Sequence, residues 1–374
     1  MARGVAEAAS TAPAVYRPSG SQEDLAPSGA KARTQANFAA IRVLHAIDRD
    51  HRPATAAEQD VLARWGSWGA VPDIFDVTKA GWADARTELA SLIDQDAYSA
   101  ASRTTMNAHY TDPALVTAIW NGLAEFGFTG GDVLEPGCGA GTFIGLAPKD
   151  ARMIGVEWDP TTAKVAAALY PNATILSESF ADTKIRSGSL DAAIGNVPYG
   201  DVILHDPRHN VGGHSIHNHF ILKSLDLVRP GGFVAVLTSR YTMDATNPAA
   251  RREMNAAADL VAAVRLPNNT HRRAAGTTVV SDLLVFQVRE PSSEPADRSW
   301  ESTRLVSIGD EQVRINNYFL DRPLMVLGTN TMRSGEYASR TLGVHTDDVS
   351  TIPARLAGAL HGAALAAHTA PIFA

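Results

Sequence analysis

Three scarcities narrow what this chain can be. It holds one cysteine, Cys138, in 374 residues; that excludes an internal disulfide and fits a reducing cytoplasm. No apolar run approaches the roughly 20 residues of a membrane-spanning helix, and the opening MARGVAEAASTAPAVYRPSG lacks the apolar core of a secretory signal. The expectation is a cytoplasmic chain with no membrane association. Positive charge is also short, with a net charge of −7. Nucleic-acid binders that work alone are usually basic, because phosphate neutralisation supplies most of their affinity. Any such role here needs local basic patches or affinity borrowed from a partner. What the chain does have is apolar material: hydrophobic residues make up 45% and charged residues 20%, enough for a large buried core.

The pattern changes along the chain. Residues 1–35, rich in Ala, Ser, Pro and Gly, read as a disordered tail. Residues 36–105 place apolar residues at three- and four-residue spacing in NFAAIRVLHAIDR, TAAEQDVLARWGSW and GWADARTELASLIDQDAYSAASR, a helical N-terminal region. DPALVTAIWNGLAEFGF adds a helix, capped by Asp112 with Pro113 in its first turn. From Asp132 the period shortens. DVLEPG, MIGVEW, ATILSES, LDAAIGN, FVAVLTS, LVAAVRLP and SDLLVFQV are short apolar runs, and helical segments separate most of them. This predicts an α/β catalytic domain over 106–290, with a mostly parallel, doubly wound sheet and an antiparallel last strand. Residues 291–374 read as a C-terminal extension.

LEPGCGAGTF follows the first strand. Its glycines at 137, 139 and 141 let backbone approach a ligand, but G-x-G-x-G is not the dinucleotide spacing. Glu135, just before the loop, would repel a pyrophosphate and attract an ammonium. Glu157 ends the second strand, where a carboxylate accepts ribose hydroxyls. Ribose, ammonium and no phosphate together point to S-adenosylmethionine. Cys138 reads as a small residue of the cofactor loop.

The fourth strand delivers GNVPYG to the same carboxyl edge. An exocyclic adenine amine is a weak nucleophile, its lone pair being delocalised into the ring. Acceptors on both N–H bonds would draw that lone pair toward a sulfonium methyl. Asn196 offers a side-chain carbonyl and Val197 a peptide carbonyl, with Pro198 restricting the direction of the latter. Tyr199 offers a face for a flipped base. Positioning carries such a reaction, and no general base is needed before transfer.

LEPGCGAGTF, VEWD and GNVPYG, in this order, resemble the amino-methyltransferases that modify adenine in DNA and carry an Asn-Pro-Pro-Tyr-type motif. NAHYTDP, SIHNHFILKSLDLVRPGGFVAVLTS, RLPNNTH and NNYFLDRPLMVLG extend the likeness over roughly residues 60–330. These longer stretches are similar to the methylase portion of large helicase–methylase proteins of mobile elements. The resemblance implies a Rossmann-like class I methyltransferase fold. It also implies DNA as substrate, a role in restriction, defence or anti-defence, and a helicase or specificity partner. By position, Tyr110 and Thr111 would touch the cofactor together with Glu135, Gly137, Cys138, Gly139, Gly141 and Asn196. Glu157 would take the ribose, and Ser179 with Phe180 would flank the cofactor adenine. His271 stands where the family tends to place a base-contacting aromatic. The chain departs from the pattern at Val197, a proline in the motif, and in SESF, which lacks an aspartate.

HDPRHNVGGHSIHNHF holds five of the twelve histidines. Their irregular spacing and the lack of a partnering cysteine favour a mobile loop over the site, and no metal is expected. Arg272 and Arg273 read equally well as phosphate contacts or solvated surface. The motif leaves three functions open: DNA adenine methylation, the same chemistry on RNA adenine or protein glutamine, and a non-catalytic binding module.

Overall fold

The structure, a computed structural model, describes residues 15–103, 110–275, 278–334 and 340–369. Every short apolar run becomes a strand. β1 (Gly131–Pro136), β2 (Ala151–Glu157), β3 (Thr174–Ser177), β4 (Leu190–Asn196), β5 (Val228–Ser239), β6 (Ala258–Leu266) and β7 (Ser281–Val288) form one sheet in the order β3-β2-β1-β4-β5-β7-β6. The first five pair in parallel. β7 inserts between β5 and β6 and runs antiparallel to both. The continuous apolar character of these runs follows from burial on both faces. Adjacent residues divide between two cores, Val133 facing one and Leu134 the other.

The strand order reverses between β1 and β4. Loops leaving the carboxyl ends of two strands on either side of such a reversal diverge and leave a crevice between them. Here those loops are LEPGCGAG and GNVPYG.

Three expectations change, two about the flanks and one about a loop within the α/β domain. Residues 15–35, expected in a disordered tail, are placed: Tyr16 donates its amide to Leu169 and packs its ring 6.5 Å from that of Tyr170. The first long helix begins at Ala30. Residues 1–14 of that expected tail lie outside the described residues. The segment 291–374 is more than an extension. Its helix Ile352–Thr369 buries Leu356 and Leu360 in the core that holds Leu115, Ile119 and Leu123 of the helix Pro113–Glu125. A Cβ on Gly122 would lie 2.5 Å from Leu360, so this glycine sets how closely the two helices approach. The third change concerns the histidine-rich loop, which is anchored. Asp206 accepts from His219 Nε2 at 3.0 Å and Lys223 Nζ at 3.1 Å, and pairs with His209 Nδ1 at 3.1 Å. His214 pairs with Glu253 at 2.9 Å.

Candidate active site

A cavity of about 610 Å³ opens at the reversal point, within the range that encloses a small-molecule cofactor. Gly137 and Gly139 adopt positive φ in the turn after β1, and the amides of Gly137 and Cys138 both donate to Val156 O at the end of β2. The turn therefore folds down over β2 and exposes its backbone to the cavity. Gly141 has a different task. Its φ is +85°, a Cβ there would meet the Tyr170 ring at 2.7 Å, and it does not line the cavity. It shapes the loop and leaves ligand contact to its neighbours.

Glu157 accepts the Gly139 amide at 2.9 Å and the Asp159 amide at 2.8 Å. Burial raises its pKa to about 7, against the pull of those two amides. Glu135 is 3% exposed. Burial lifts its pKa well above the carboxylate range; the Ile144 amide opposes this and the charge of Glu157 adds to it. Its Oε2 is buried without a hydrogen-bond partner among the described residues. A buried carboxyl oxygen with no donor is costly unless a cation completes it. An amino-acid ammonium fits that need. S-Adenosylmethionine thus suits the residues present: Glu135 would hold its ammonium, Glu157 its ribose, and Ser179 and Phe180, both lining the cavity, its adenine.

Tyr110, Thr111, Cys138, Asn196 and Pro198 also line the cavity. Residues 104–109, which include Asn107, Ala108 and His109 of NAHYTDP, lie outside the described residues. Asn196 donates Nδ2–H to Thr111 Oγ1 at 3.1 Å, and its Oδ1 accepts from the Tyr199 hydroxyl at 2.9 Å. Val197 is fully buried and donates its amide to Leu237 O, extending the β4–β5 ladder. Two placements differ from expectation. Tyr199 does not line the cavity, and its hydroxyl donates to Asn196 Oδ1. His271 is 1% exposed and bonds Ser281 Oγ at 2.8 Å, so it presents no open face to a base. Arg33, from the first helix, donates to Ala274 O and Arg273 O and holds the segment that follows His271 against the domain.

Sequence reasoning passed over several lining residues. Trp158 directly follows Glu157 and is half exposed, with the Arg103 guanidinium 5.2 Å from its ring. A large aromatic directly after the acidic end of β2 was a usable signal. Ser67 and Ser102 come from the N-terminal helical region; no local pattern marks them. Lys223 is buried on the helix Ile216–Leu227 and donates to Phe180 O at 2.6 Å and Ala181 O at 3.0 Å. It ties the segment at Phe180 and Ala181 to Asp206 and its histidines.

The sheet order, its antiparallel strand and the helices on both faces are those of the class I S-adenosylmethionine-dependent methyltransferase fold. Among known proteins, the chain is 25% identical over 198 residues to the defense against restriction protein B of Escherichia phage P1. That match covers 52% of this chain and 9% of the phage protein. No protein-family model matches the chain. Similar solved structures include the type I restriction-modification system methyltransferase subunit from Streptococcus thermophilus. It is 14% identical with a TM-score of 0.42, over 75% of this chain and 67% of that one. Geranyl diphosphate C-methyltransferase from Streptomyces coelicolor is 13% identical with a TM-score of 0.34, over 48% and 76%.

Proposed function

We propose that this chain is an S-adenosylmethionine-dependent methyltransferase that modifies the exocyclic amine of adenine in DNA. One observation carries the reading: Asn196, at the tip of β4, opens onto the same cavity as Glu135, Gly137 and Glu157. An amide oxygen beside a cofactor-shaped cavity is what an amine acceptor requires. The bound cofactor supplies an electrophilic methyl group on a sulfonium. The chain supplies placement. Asn196 Oδ1 takes one N–H of the amine, and the Val197 peptide carbonyl is assigned the other. Thr111 takes the Nδ2–H of Asn196, which supports assigning Oδ1 to the acceptor. Fixing a weak nucleophile against an electrophile replaces a bimolecular encounter and accounts for the rate without a general base.

DNA, in preference to RNA adenine or protein glutamine, is supported by the extended resemblance to mobile-element methylases and by the likeness to the phage defence protein. The test is transfer of a labelled methyl group to DNA, RNA and protein pools, followed by hydrolysis to identify the product. Label in N6-methyladenine from DNA is the expected result. Asn196→Ala should reduce transfer by at least about a hundredfold, the scale seen when one oriented polar group is removed from an active site. Cofactor should still bind, with affinity lowered by no more than about tenfold, the scale of one neutral hydrogen bond. Label in glutamine, or loss of cofactor binding in that variant, would overturn the assignment.

A further inference from the structure

A second cavity, of about 500 Å³, opens between the start of the first long helix and the segment that follows β6. Its walls carry three arginines, Arg33, Arg272 and Arg273, and no acidic residue among those described. The chain has 40 acidic and 33 basic residues, and elsewhere arginines meet carboxylates. Arg52 lies 2.7 Å from Glu58, Arg152 lies 2.7 Å from Asp132, and Arg229 lies 2.8 Å from Asp191. The cavity arginines have no such partner among the described residues. Arg33 spends its guanidinium on the carbonyls of Ala274 and Arg273, and Arg273 reaches the Ala26 carbonyl at 3.3 Å. Asp112 offers little counter-charge: it caps its own helix through the Ala114 amide at 2.8 Å, and burial raises its pKa.

The helix Ala30–Asp50 adds to the same positive field. Its N-cap is Gly29, which has no side chain to cover the first amides, and its first turn holds no acidic residue. Arg33 stands in that first turn, at the end where the helix macrodipole is already positive. Gathering like charges in this way is unfavourable unless an anion completes the site. The cavity also lies at the reactive edge of the sheet. β6 ends beside the start of β7, Leu266 pairing with Ser281. Ser281 pairs with Ser239 at the end of β5, and Leu237 of β5 pairs with Asn196. The segment that carries Arg272 and Arg273 therefore leaves the sheet on the same side as GNVPYG.

We propose that this cavity is a phosphate site for the DNA backbone, in which Arg272 and Arg273 hold a phosphodiester of the strand whose adenine is methylated. The inference rests on the DNA reading above. A phosphodiester is a permanent monoanion, and its oxygens match the planar donor fork of a guanidinium. Arg272 and Arg273 are exposed and open to such a ligand, whereas Arg33 is 4% exposed and fixes the backbone from which they extend. The site gives an acidic chain the local basic patch that nucleic acid requires. A backbone contact positions the strand without reading its sequence.

The test is equilibrium binding of a fluorescent DNA duplex, over a salt series, to the full chain and to the double variants R272A/R273A and R272K/R273K. R272A/R273A should bind about ten- to hundredfold more weakly at low salt, the scale of lost charged hydrogen bonds. Its plot of log affinity against log salt should be shallower by about one for each phosphate no longer neutralised. The loss should be equal for unrelated sequences. R272K/R273K keeps both charges and should keep the wild-type slope. Cofactor affinity, measured by titration calorimetry, and melting temperature should match wild type in both variants, since neither side chain is buried. Equal DNA affinity and slope in R272A/R273A and wild type would overturn the inference and leave the proposed function standing. Saturable binding of inorganic phosphate at fixed ionic strength, lost in R272A/R273A while DNA binding is unchanged, would overturn it too and give the cavity to a small phosphate ligand. Methyl transfer by the wild-type chain to protein alone would remove the DNA reading and this inference together.

Discussion

Glu135 and Glu157 stand at the ends of adjacent strands, and both are pushed by burial toward their neutral forms, Glu157 to about 7. For Glu157 the folding linkage has a definite sign. Its folded pKa lies above the unfolded value, so its contribution to stability is complete below about 4.5 and is lost as pH rises through about 7. The ligand-free protein should therefore lose stability across that window in thermal melts, and Glu157→Gln should flatten the dependence. Cofactor binding should run the other way. A carboxylate accepts hydrogen bonds from ribose hydroxyls more strongly than a carboxylic acid does, so affinity should rise as pH passes through about 7 in the wild type, and the rise should shrink in Glu157→Gln. Glu135→Met offers a second contrast. Removing a buried oxygen with no partner should stabilise the ligand-free protein by about 1 kcal/mol. The same change should weaken cofactor affinity by about tenfold to a hundredfold, as expected for loss of a charged hydrogen bond. Calorimetry and melting curves on one sample read both effects.

Elements position these residues through a few close approaches. Gly141 couples the cofactor loop to Tyr170 at the end of the helix Pro160–Leu169. Gly141→Ala should cost about 1–3 kcal/mol, because φ is +85° and the added Cβ falls 2.7 Å from the ring. Denaturant midpoints would measure it. The helix Ile352–Thr369 covers an apolar face of the sheet, so truncation after residue 290 should expose Leu115, Ile119 and Leu123. A dye that reports exposed apolar surface should bind the truncated chain and not the whole one. How legible these elements were depended on how local their signals are. All seven strands of the large sheet were readable because burial on both faces writes a run of Val, Ile, Leu and Ala into contiguous sequence. The placement of Tyr16 and Gln22 was not readable: Tyr16 bonds Leu169, far along the chain, and Gln22 is buried in a segment with no periodicity.

For the whole molecule, the net charge of −7 sets the terms on which nucleic acid can approach. With few phosphates neutralised, binding to duplex DNA should be weak, and its salt dependence should be shallower than that of a basic domain of this size. The isolated chain should methylate DNA slowly and with little sequence discrimination, gaining both from a helicase or specificity partner. Strong site-specific methylation by this chain alone at physiological salt would contradict that expectation.

The sequence by itself determined the strand runs, the glycine turn, the two acidic strand ends and the Asn-Val-Pro-Tyr segment, because each depends on residues adjacent in the chain. Tertiary structure alone decided which side chains those residues meet. That Glu135 keeps an oxygen with no partner among the described residues follows from its burial at the end of β1, that Tyr199 turns from the cavity to Asn196 follows from the turn after β4, and that His271 meets Ser281 follows from the pairing of β7 with β5 and β6. A strand neighbour 42 residues away, Ser239 opposite Ser281, leaves no mark on local sequence. Hydrogen-bond partners are chosen by where strands come together in space, and chain order carries that information only through the packing of the whole core.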